Sequence, residues 1–218
     1  MDIKVDASTV IVFDLDDTIY NEMEYLRSAY SEIAKSIDAA HWRPLFARMY
    51  SLFRSKADVF EFVSATYHKD KSELLNTYRT HIPSIHLFKG VLETMAQIKA
   101  KKGKIGIITD GRKTTQRAKL KALGITDRID KIVISEEIGS EKPDERNYRI
   151  IEEAFPDCTY LYIADNLRKD FIAPNKLGWK TVGLIDNGLN MHCDGHNYFD
   201  KRYMPQQFVT SFEDIYVV

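Results

Sequence analysis

The chain has little of several features that would place it in a special class of protein. Of its 218 residues only two are cysteines, Cys158 and Cys193, which excludes a disulfide scaffold and a cysteine-based zinc site. Its 31 basic side chains are matched by 32 acidic ones, so charge alone would not hold it on a nucleic acid or an anionic lipid. No apolar run approaches the roughly 18 residues of a membrane helix, and no signal-length run opens the chain. These absences predict a cytoplasmic globular protein without nucleic-acid or membrane partners.

The residues that are present predict an α/β fold. Apolar residues make up 44% of the chain, and short runs rich in β-branched residues recur along it. Helical patterns lie between the later runs, where Val91, Met95 and Ile98, for example, share one helical face. This alternation is typical of a parallel sheet covered by helices on both faces. The predicted strands are residues 9–13, 104–109, 131–135, 159–164 and 180–185, with a short sixth strand at 208–210 and a capping box at Ser211 and Asp214.

The connection from residue 13 to residue 104 is far longer than one crossover requires. No alternation typical of a strand occurs in it, and its aromatic side chains are expected to pack between helices. We therefore expect residues 19–85 to form a helical subdomain above the sheet, with residues 1–18 and 86–218 forming the α/β core. Helical patterns occupy four segments, residues 22–37, 41–55, 58–67 and 71–81.

Polar residues stand at or just beyond the carboxyl ends of four predicted strands. In chain order they are Asp14 and Asp16 after the first strand, Thr109, Asp110 and Gly111 at the second, Lys142 in the loop after the third, and Asp165 and Asp170 after the fourth. The carboxyl ends of the strands in an open parallel sheet face one crevice, which is where ligands bind. We therefore expect these side chains, distant in sequence, to converge.

The chemistry of that set predicts a magnesium ion and a phosphoryl group. Several carboxylates in one crevice repel one another unless a cation or a proton intervenes. Oxygen ligands without histidine or cysteine favour a hard cation, and Mg²⁺ binds through one or two carboxylates together with substrate phosphate. A crevice that also holds a lysine and a threonine suits an anion with several oxygens. An aspartate in line with the phosphorus could attack it and form an aspartyl phosphate.

Together and in this order, the four elements resemble the motifs of the haloacid dehalogenase superfamily of phosphohydrolases over about residues 9–185. The resemblance implies a Rossmann-like, three-layer α/β core whose first strand lies between the second and the fourth, with a helical cap inserted after the first. It also implies a Mg²⁺-dependent phosphatase that hydrolyses a small phosphorylated metabolite, a sugar phosphate or a nucleotide, as a monomer or a homodimer. Ala164 departs from the family pattern, which often has glycine there.

The resemblance assigns the acidic residues to catalysis and metal binding. Asp14 matches the nucleophile, and Asp16 matches the general acid/base that protonates the leaving oxygen and then activates water. The metal would be held by Asp14, the backbone carbonyl of Asp16 and Asp165, with Asp170 in a supporting position. Because Asp16 must carry a proton and Asp14 must be ionised, we expect the surroundings of Asp16 to favour protonation more than those of Asp14.

The resemblance assigns the remaining polar residues to the phosphoryl group. Thr109 matches the hydroxyl that binds a transferring oxygen, and Lys142 matches the cation that offsets charge on the nucleophile and the phosphoryl group. Asp110 and Gly111 are expected to line the substrate pocket beside Thr109.

Four other functions share parts of this pattern. A phosphomutase of the same superfamily keeps Asp16 and returns the phosphoryl group to the substrate, so the motifs do not distinguish it from a hydrolase. A dehalogenase of the superfamily lacks the aspartate at the position of Asp16. A phosphorylatable signalling receiver has the same residue types in a different order along the chain, and a non-catalytic module on this fold needs no turnover.

Two further segments are interpreted as surface. Residues 192–196 contain two histidines and one cysteine but no fourth ligand, so we expect a surface loop rather than a zinc site. A basic stretch follows the second motif, and we expect it to be a solvated helix face. Its members are Arg112, Lys113, Arg117, Lys119 and Lys121.

Overall fold

The computed structural model describes residues 1–218, and strands alternate with helices along the core as predicted. The strands are β1 (Asp2–Ile3), β2 (Thr9–Phe13), β3 (Lys104–Thr109), β4 (Lys131–Ile134), β5 (Thr159–Ala164), β6 (Lys180–Leu184), β7 (Gln207–Val209) and β8 (Tyr216–Val217). The helices are α1 (Glu22–Ile37), α2 (Trp42–Arg54), α3 (Val59–Tyr67), α4 (Lys71–Thr80), α5 (Val91–Ala100), α6 (Lys113–Ala122), α7 (Ser135–Ile138), α8 (Arg146–Ala154) and α9 (Ile172–Lys176).

The main sheet is parallel and has six strands in the order β4-β3-β2-β5-β6-β7. Strand β2 lies between β3 and β5, as the family resemblance implied. At its carboxyl end Phe13 is in register with Ile107 on one side and Ile163 on the other. The loops that follow β2, β3 and β5 therefore leave the sheet beside one another, at the same edge.

Both faces of the sheet are covered because β2 is apolar from Val10 to Phe13. Ile11 and Phe13 belong to a hydrophobic cluster that includes residues of α5, and Val10 and Val12 belong to a second cluster that includes residues of α8. All four side chains are fully buried. Successive strand residues point to opposite faces, so a continuous apolar run can serve two layers of helices. The predicted three-layer α/β architecture is confirmed.

The long insertion after β2 is helical and has a core of its own. Helices α1–α4 occupy the four segments predicted from the sequence, with differences of only one residue at several ends. The side chains of Asp58 and Asp70 cap the first turns of α3 and α4 by accepting backbone N–H bonds. Trp42 and Phe46 pack, partly exposed, against a buried cluster. The cluster consists of Met23, Leu26, Tyr30, Ile33, Ala34, Leu45, Met49, Val59, Val63 and Leu74.

The two termini meet in a small sheet that the sequence did not predict. Strand β1 pairs in parallel with β8, and each has only two residues, too few for a recognisable pattern. The predicted capping box at Ser211 and Asp214 is present, but it opens a 3₁₀ turn at Phe212–Asp214 rather than a longer helix. Among all the helices, none combines the length and the hydropathy that crossing a membrane requires.

Candidate active site

Asp14 lies directly after β2 and is paired with a buried lysine. Its backbone N–H donates to the carbonyl of Ile163 at 3.0 Å, which continues the sheet pairing one residue beyond the strand. Lys142, from the loop after α7, places Nζ 2.5 Å from Asp14 Oδ1 and 2.8 Å from Asp170 Oδ1. Lys142 Nζ also donates to the Tyr162 hydroxyl at 3.3 Å. One ammonium group therefore joins two of the predicted carboxylates.

A second pair of predicted residues adjoins Asp14. Asp165 follows β5, and its two carboxylate oxygens accept hydrogen bonds from Thr18 Oγ1 at 3.1 Å and from Asn190 Nδ2 at 2.9 Å. One oxygen from each of Asp14, Asp165 and Asp170 lies within 4.8 Å of the others. The structure thus brings three acidic side chains to one point from two different loops.

The charges in this cluster are not balanced by protein groups alone. Burial raises the pKa of Asp14 to about 7, although Lys142 acts in the opposite direction. Burial and the carboxylates of Asp170 and Asp14 raise the pKa of Asp165 well above its usual range. Three close carboxylates with only oxygen donors fit a hard divalent cation, which would favour their ionised forms. The acidic cluster required for a divalent metal is present.

Asp16 has different surroundings from Asp14, and they shift its pKa in the opposite direction. Its Oδ1 accepts hydrogen bonds from Lys119 Nζ at 2.6 Å and from the Tyr20 hydroxyl, and its Oδ2 accepts one from Gln116 Nε2 at 2.9 Å. Although burial opposes it, the Lys119 ammonium and these hydrogen bonds hold the pKa of Asp16 below its usual range. In the metal-free protein Asp14 is therefore the more readily protonated acid, because Asp16 has three donors that were not visible in the sequence. The expected order, in which Mg²⁺ favours the ionised form of Asp14, concerns the metal-bound site and stays a prediction.

Thr109 and Asp110, at the end of β3, differ in how their side chains are used. The Thr109 hydroxyl is buried and has no hydrogen-bond partner, so it is free to bond an oxygen of a ligand. The Asp110 carboxylate already accepts from the backbone N–H of Lys142 at 3.1 Å and from Lys169 Nζ at 2.7 Å. Asp110 thus ties together two loops beside the cavity.

Gly111 makes the turn into α6 possible. Its φ of +131° is a conformation that favours glycine, and an added Cβ would lie 2.8 Å from Gln116 Nε2. Its backbone N–H donates to Ser135 Oγ at 2.8 Å. The glycine therefore permits the close approach of Gln116, which in turn bonds Asp16.

A small polar cavity of about 160 Å³ opens at this edge of the sheet. Of the predicted residues, Asp14, Asp16, Thr109, Asp110 and Asp165 line it, whereas Lys142 and Asp170 adjoin Asp14 without lining it and Gly111 stands apart. No hydrophobic residue lines it. The other lining residues are Asp17, Glu22, Asn166, Lys169 and His192.

The loop after β6 belongs to this site, which the sequence analysis did not predict. His192 lines the cavity, and the neighbouring Met191 N–H donates to Asp17 Oδ2 at 2.6 Å. Asn190, in the same loop, donates its amide N–H to Asp165. His192 is exposed, as the interpretation of residues 192–196 as a surface loop implies, but it does not lie apart from the motifs, because it borders the cavity. No local pattern in the sequence indicates this proximity, because the loop reaches the site only through the strand order.

Lys119 and Gln116 are also missing from the predicted site. Lys119 is 2% exposed, so the interpretation of this basic stretch as a fully solvated face is wrong at that position. The sequence carried a signal for this burial, because four residues that recur at helical spacing are all buried. They are Gln116, Lys119, Leu120 and Leu123. The exposed neighbours Arg117 and Lys121 obscured that buried stripe.

The family model described as haloacid dehalogenase-like hydrolase matches residues 11–184. The chain belongs to this family. The expectation of a hydrolase of the haloacid dehalogenase type, with phosphatases among its relatives, is confirmed.

Relatives and solved structures agree with this membership. A glyceraldehyde 3-phosphate phosphatase of Methanocaldococcus jannaschii is 28% identical over 191 residues, which cover 80% of this chain and 84% of the relative. The pyrimidine 5'-nucleotidase YjjG of Escherichia coli is 36% identical over 92 residues, 41% of this chain and 39% of the relative. A solved structure of a β-phosphoglucomutase-like protein from Thermotoga maritima has a TM-score of 0.67 at 17% identity and covers 94% of this chain and 95% of its own. That last likeness concerns the fold alone.

Proposed function

We propose that this hydrolase is a Mg²⁺-dependent phosphatase that cleaves a small phosphate monoester through an aspartyl phosphate on Asp14. The observation that carries the proposal is the buried Lys142 Nζ 2.5 Å from Asp14 Oδ1, beside the unpartnered Thr109 hydroxyl. A nucleophilic carboxylate, a cation and a free hydroxyl around one small cavity are what transfer of a phosphoryl group requires. Phosphatases among the relatives support the same reaction type.

The reaction has two steps, and each uses Asp14 and Asp16. In the first, a carboxylate oxygen of Asp14 attacks phosphorus, the bond from phosphorus to the substrate oxygen breaks, and Asp16 gives that oxygen a proton. In the second, water attacks the phosphorus, Asp16 takes a proton from the water, and the bond to Asp14 breaks to release phosphate. Thr109 binds a phosphoryl oxygen throughout, and the Lys142 ammonium beside Asp14 offsets negative charge on the nucleophile and the phosphoryl group.

The residues that would hold the metal are Asp14 and Asp165, with the backbone carbonyl of Asp16, and Asp170 adjoins them. When bound, a divalent cation supplies positive charge that offsets the carboxylates and the phosphoryl oxygens. Asp170 has a second task in this arrangement, since it fixes Lys142 at 2.8 Å and itself accepts the Asn166 N–H at 3.0 Å. The lysine is thereby held against Asp14 from the opposite side.

The cavity favours a short, polar substrate. Its volume of about 160 Å³ lies below the range of about 300–1,000 Å³ typical of pockets for drug-sized ligands. No apolar side chain and no phenylalanine, tyrosine or tryptophan lines it to receive a nucleobase. We therefore favour a triose or pentose phosphate over a nucleotide. The glyceraldehyde 3-phosphate phosphatase relative is consistent with that choice.

Residues 19–85 are proposed to act as a cap that opens and closes over the cavity. The two connections to the core lie together, since the Phe88 N–H donates to the Ile19 carbonyl at 2.9 Å. The insertion has its own hydrophobic cluster, and Glu22 at the start of α1 lines the cavity. Such a cap can exclude water and select substrates by size.

A phosphate-release screen with a labelling experiment tests the proposal. Sugar phosphates and nucleotides are incubated with the protein in Mg²⁺ or in EDTA, and we expect release in Mg²⁺ only. Asp14→Asn should abolish both turnover and any acid-labile phosphate on the protein, because an amide is a poor nucleophile. Asp127→Asn, an exposed acid away from the site, is the matched control. Phosphate trapped on Asp14→Asn would contradict the assignment, and a positional isomer in place of free phosphate would indicate a mutase.

A further inference from the structure

Lys119 is a buried lysine whose charge is committed to the proposed acid/base. It lies on α6, is 2% exposed, and places Nζ 2.6 Å from Asp16 Oδ1. A buried ammonium is costly unless it is paired and hydrogen-bonded. Arg117 and Lys121, which lie two positions before and two positions after it, are exposed. Lys119 lies on the buried face of α6, and its ammonium group is paired there with Asp16.

The same helix holds both oxygens of Asp16. Gln116, one turn before Lys119, donates Nε2 to Asp16 Oδ2 at 2.9 Å and also to the Asp110 carbonyl at 2.5 Å. The Tyr20 hydroxyl adds a second bond to Oδ1. Because each oxygen of the carboxylate has a donor from α6, the side chain cannot rotate without breaking these bonds.

Lys119 is itself held in place from the inserted helix. Its Nζ lies 3.9 Å from a carboxylate oxygen of Glu22 and 4.5 Å from the centre of the Tyr25 ring, a cation–π distance. Both residues belong to α1. The ammonium therefore has a fixed position between α1, α6 and Asp16, as an orienting group requires.

We infer that Lys119 is a positioning residue that, together with Gln116, orients the Asp16 carboxylate toward the leaving oxygen of the substrate. The inference rests on the proposed function. A general acid works only within hydrogen-bond reach of the oxygen that it protonates, and small misplacements are costly in rate. Loss of Lys119 makes Asp16 easier to protonate but leaves its carboxylate without a donor on Oδ1 from α6. Because position limits the transfer, the reaction slows most for substrates that need that proton.

The test compares two substrates that differ in how much they need an acid. Phenyl phosphate has a basic leaving oxygen, whereas p-nitrophenyl phosphate has a weakly basic one. We expect Lys119→Met to lower kcat on phenyl phosphate by about 10- to 100-fold more than on p-nitrophenyl phosphate, with similar KM, since general acid catalysis contributes about 10²–10⁴-fold. Lys121→Met, on the same helix and exposed, should leave both values unchanged.

A double variant separates positioning from mere packing. Asp16→Asn should show the same sensitivity to the leaving group, and adding Lys119→Met to it should not increase that sensitivity, because Lys119 acts through Asp16. If Lys119→Met does not fold, Lys119→Arg keeps the positive charge but moves the donor, and the ratio of the two kcat values should still change.

Two results would overturn the inference. An equal fall on both substrates would make Lys119 a structural residue, as would a ratio that stays unchanged in a folded Lys119→Arg protein with lowered kcat. A wild-type protein that hydrolyses neither ester and releases phosphate from no metabolite would instead contradict the proposed function. The two failures are therefore distinguishable.

Discussion

Replacing Asp14 with asparagine should stabilise the metal-free protein at alkaline pH while abolishing turnover. Burial raises the pKa of this carboxyl from 3.8 to about 7, so the folded state resists ionisation that the unfolded chain accepts. Ionisation of such an acid lowers the free energy of unfolding at a pH above its folded pKa. This loss becomes smaller as the pH falls through 7 toward 3.8. Asparagine keeps the shape of the side chain and carries no charge.

The expected magnitude follows from the size of that shift. Each pKa unit corresponds to about 1.4 kcal/mol, so ionisation of Asp14 lowers the free energy of unfolding by about 2–3 kcal/mol between pH 5 and pH 8. This contribution should be absent in Asp14→Asn. Asp17, with a pKa raised to about 6, and Glu22, with one raised to about 8, titrate in both proteins and cancel in the difference. Asp165 ionises more readily in Asp14→Asn, because the Asp14 carboxylate raises its pKa, and this adds to the difference in the same direction.

Urea denaturation in EDTA at four values between pH 5 and pH 8 measures this effect. The difference in unfolding free energy between Asp14→Asn and wild type should increase with pH, and Mg²⁺ at pH 8 should raise wild-type stability more than that of the variant. Asp127→Asn, whose carboxyl is exposed, provides the control. A pH-independent difference, or a variant that is less stable than wild type at every pH, would refute the reasoning.

Three other variants test separate parts of the structure. Asn190→Ala removes the amide that holds Asp165 at 2.9 Å and should weaken Mg²⁺ binding by about 10- to 100-fold, measured by calorimetry. Gly111→Ala forces a side chain into a φ of +131° and against Gln116, so unfolding free energy should fall by about 1–3 kcal/mol. Ser211→Ala removes one half of the capping box and should cost about 1 kcal/mol of stability with phosphate release unchanged. Unaltered metal affinity in the first, unaltered stability in the second, or altered phosphate release in the third would contradict these assignments.

The sequence by itself determined where most strands and helices lie and that the polar residues at the strand ends converge. Strand β2 and strands β3 and β5 were predicted with their observed bounds, because a short β-branched run between polar residues is a local signal. Asp14, Thr109 and Asp165 could be placed together because parallel strands end at one edge of a sheet, whatever the details of packing. The four inserted helices likewise follow from local periodicity.

Only the tertiary structure decided which groups surround each acid. The hydrogen bonds from Gln116 and Lys119 to Asp16 join the loop after β2 to residues about a hundred positions away on α6. His192 reaches the cavity from the loop after β6. A lysine in a basic stretch looks the same in sequence whether it is solvated or buried. Its pKa, and that of the carboxylate it faces, depend on desolvation and on charges within a few ångströms, and these arise only when distant segments pack. For that reason the order of the two acids could not be read from the motif that contains them.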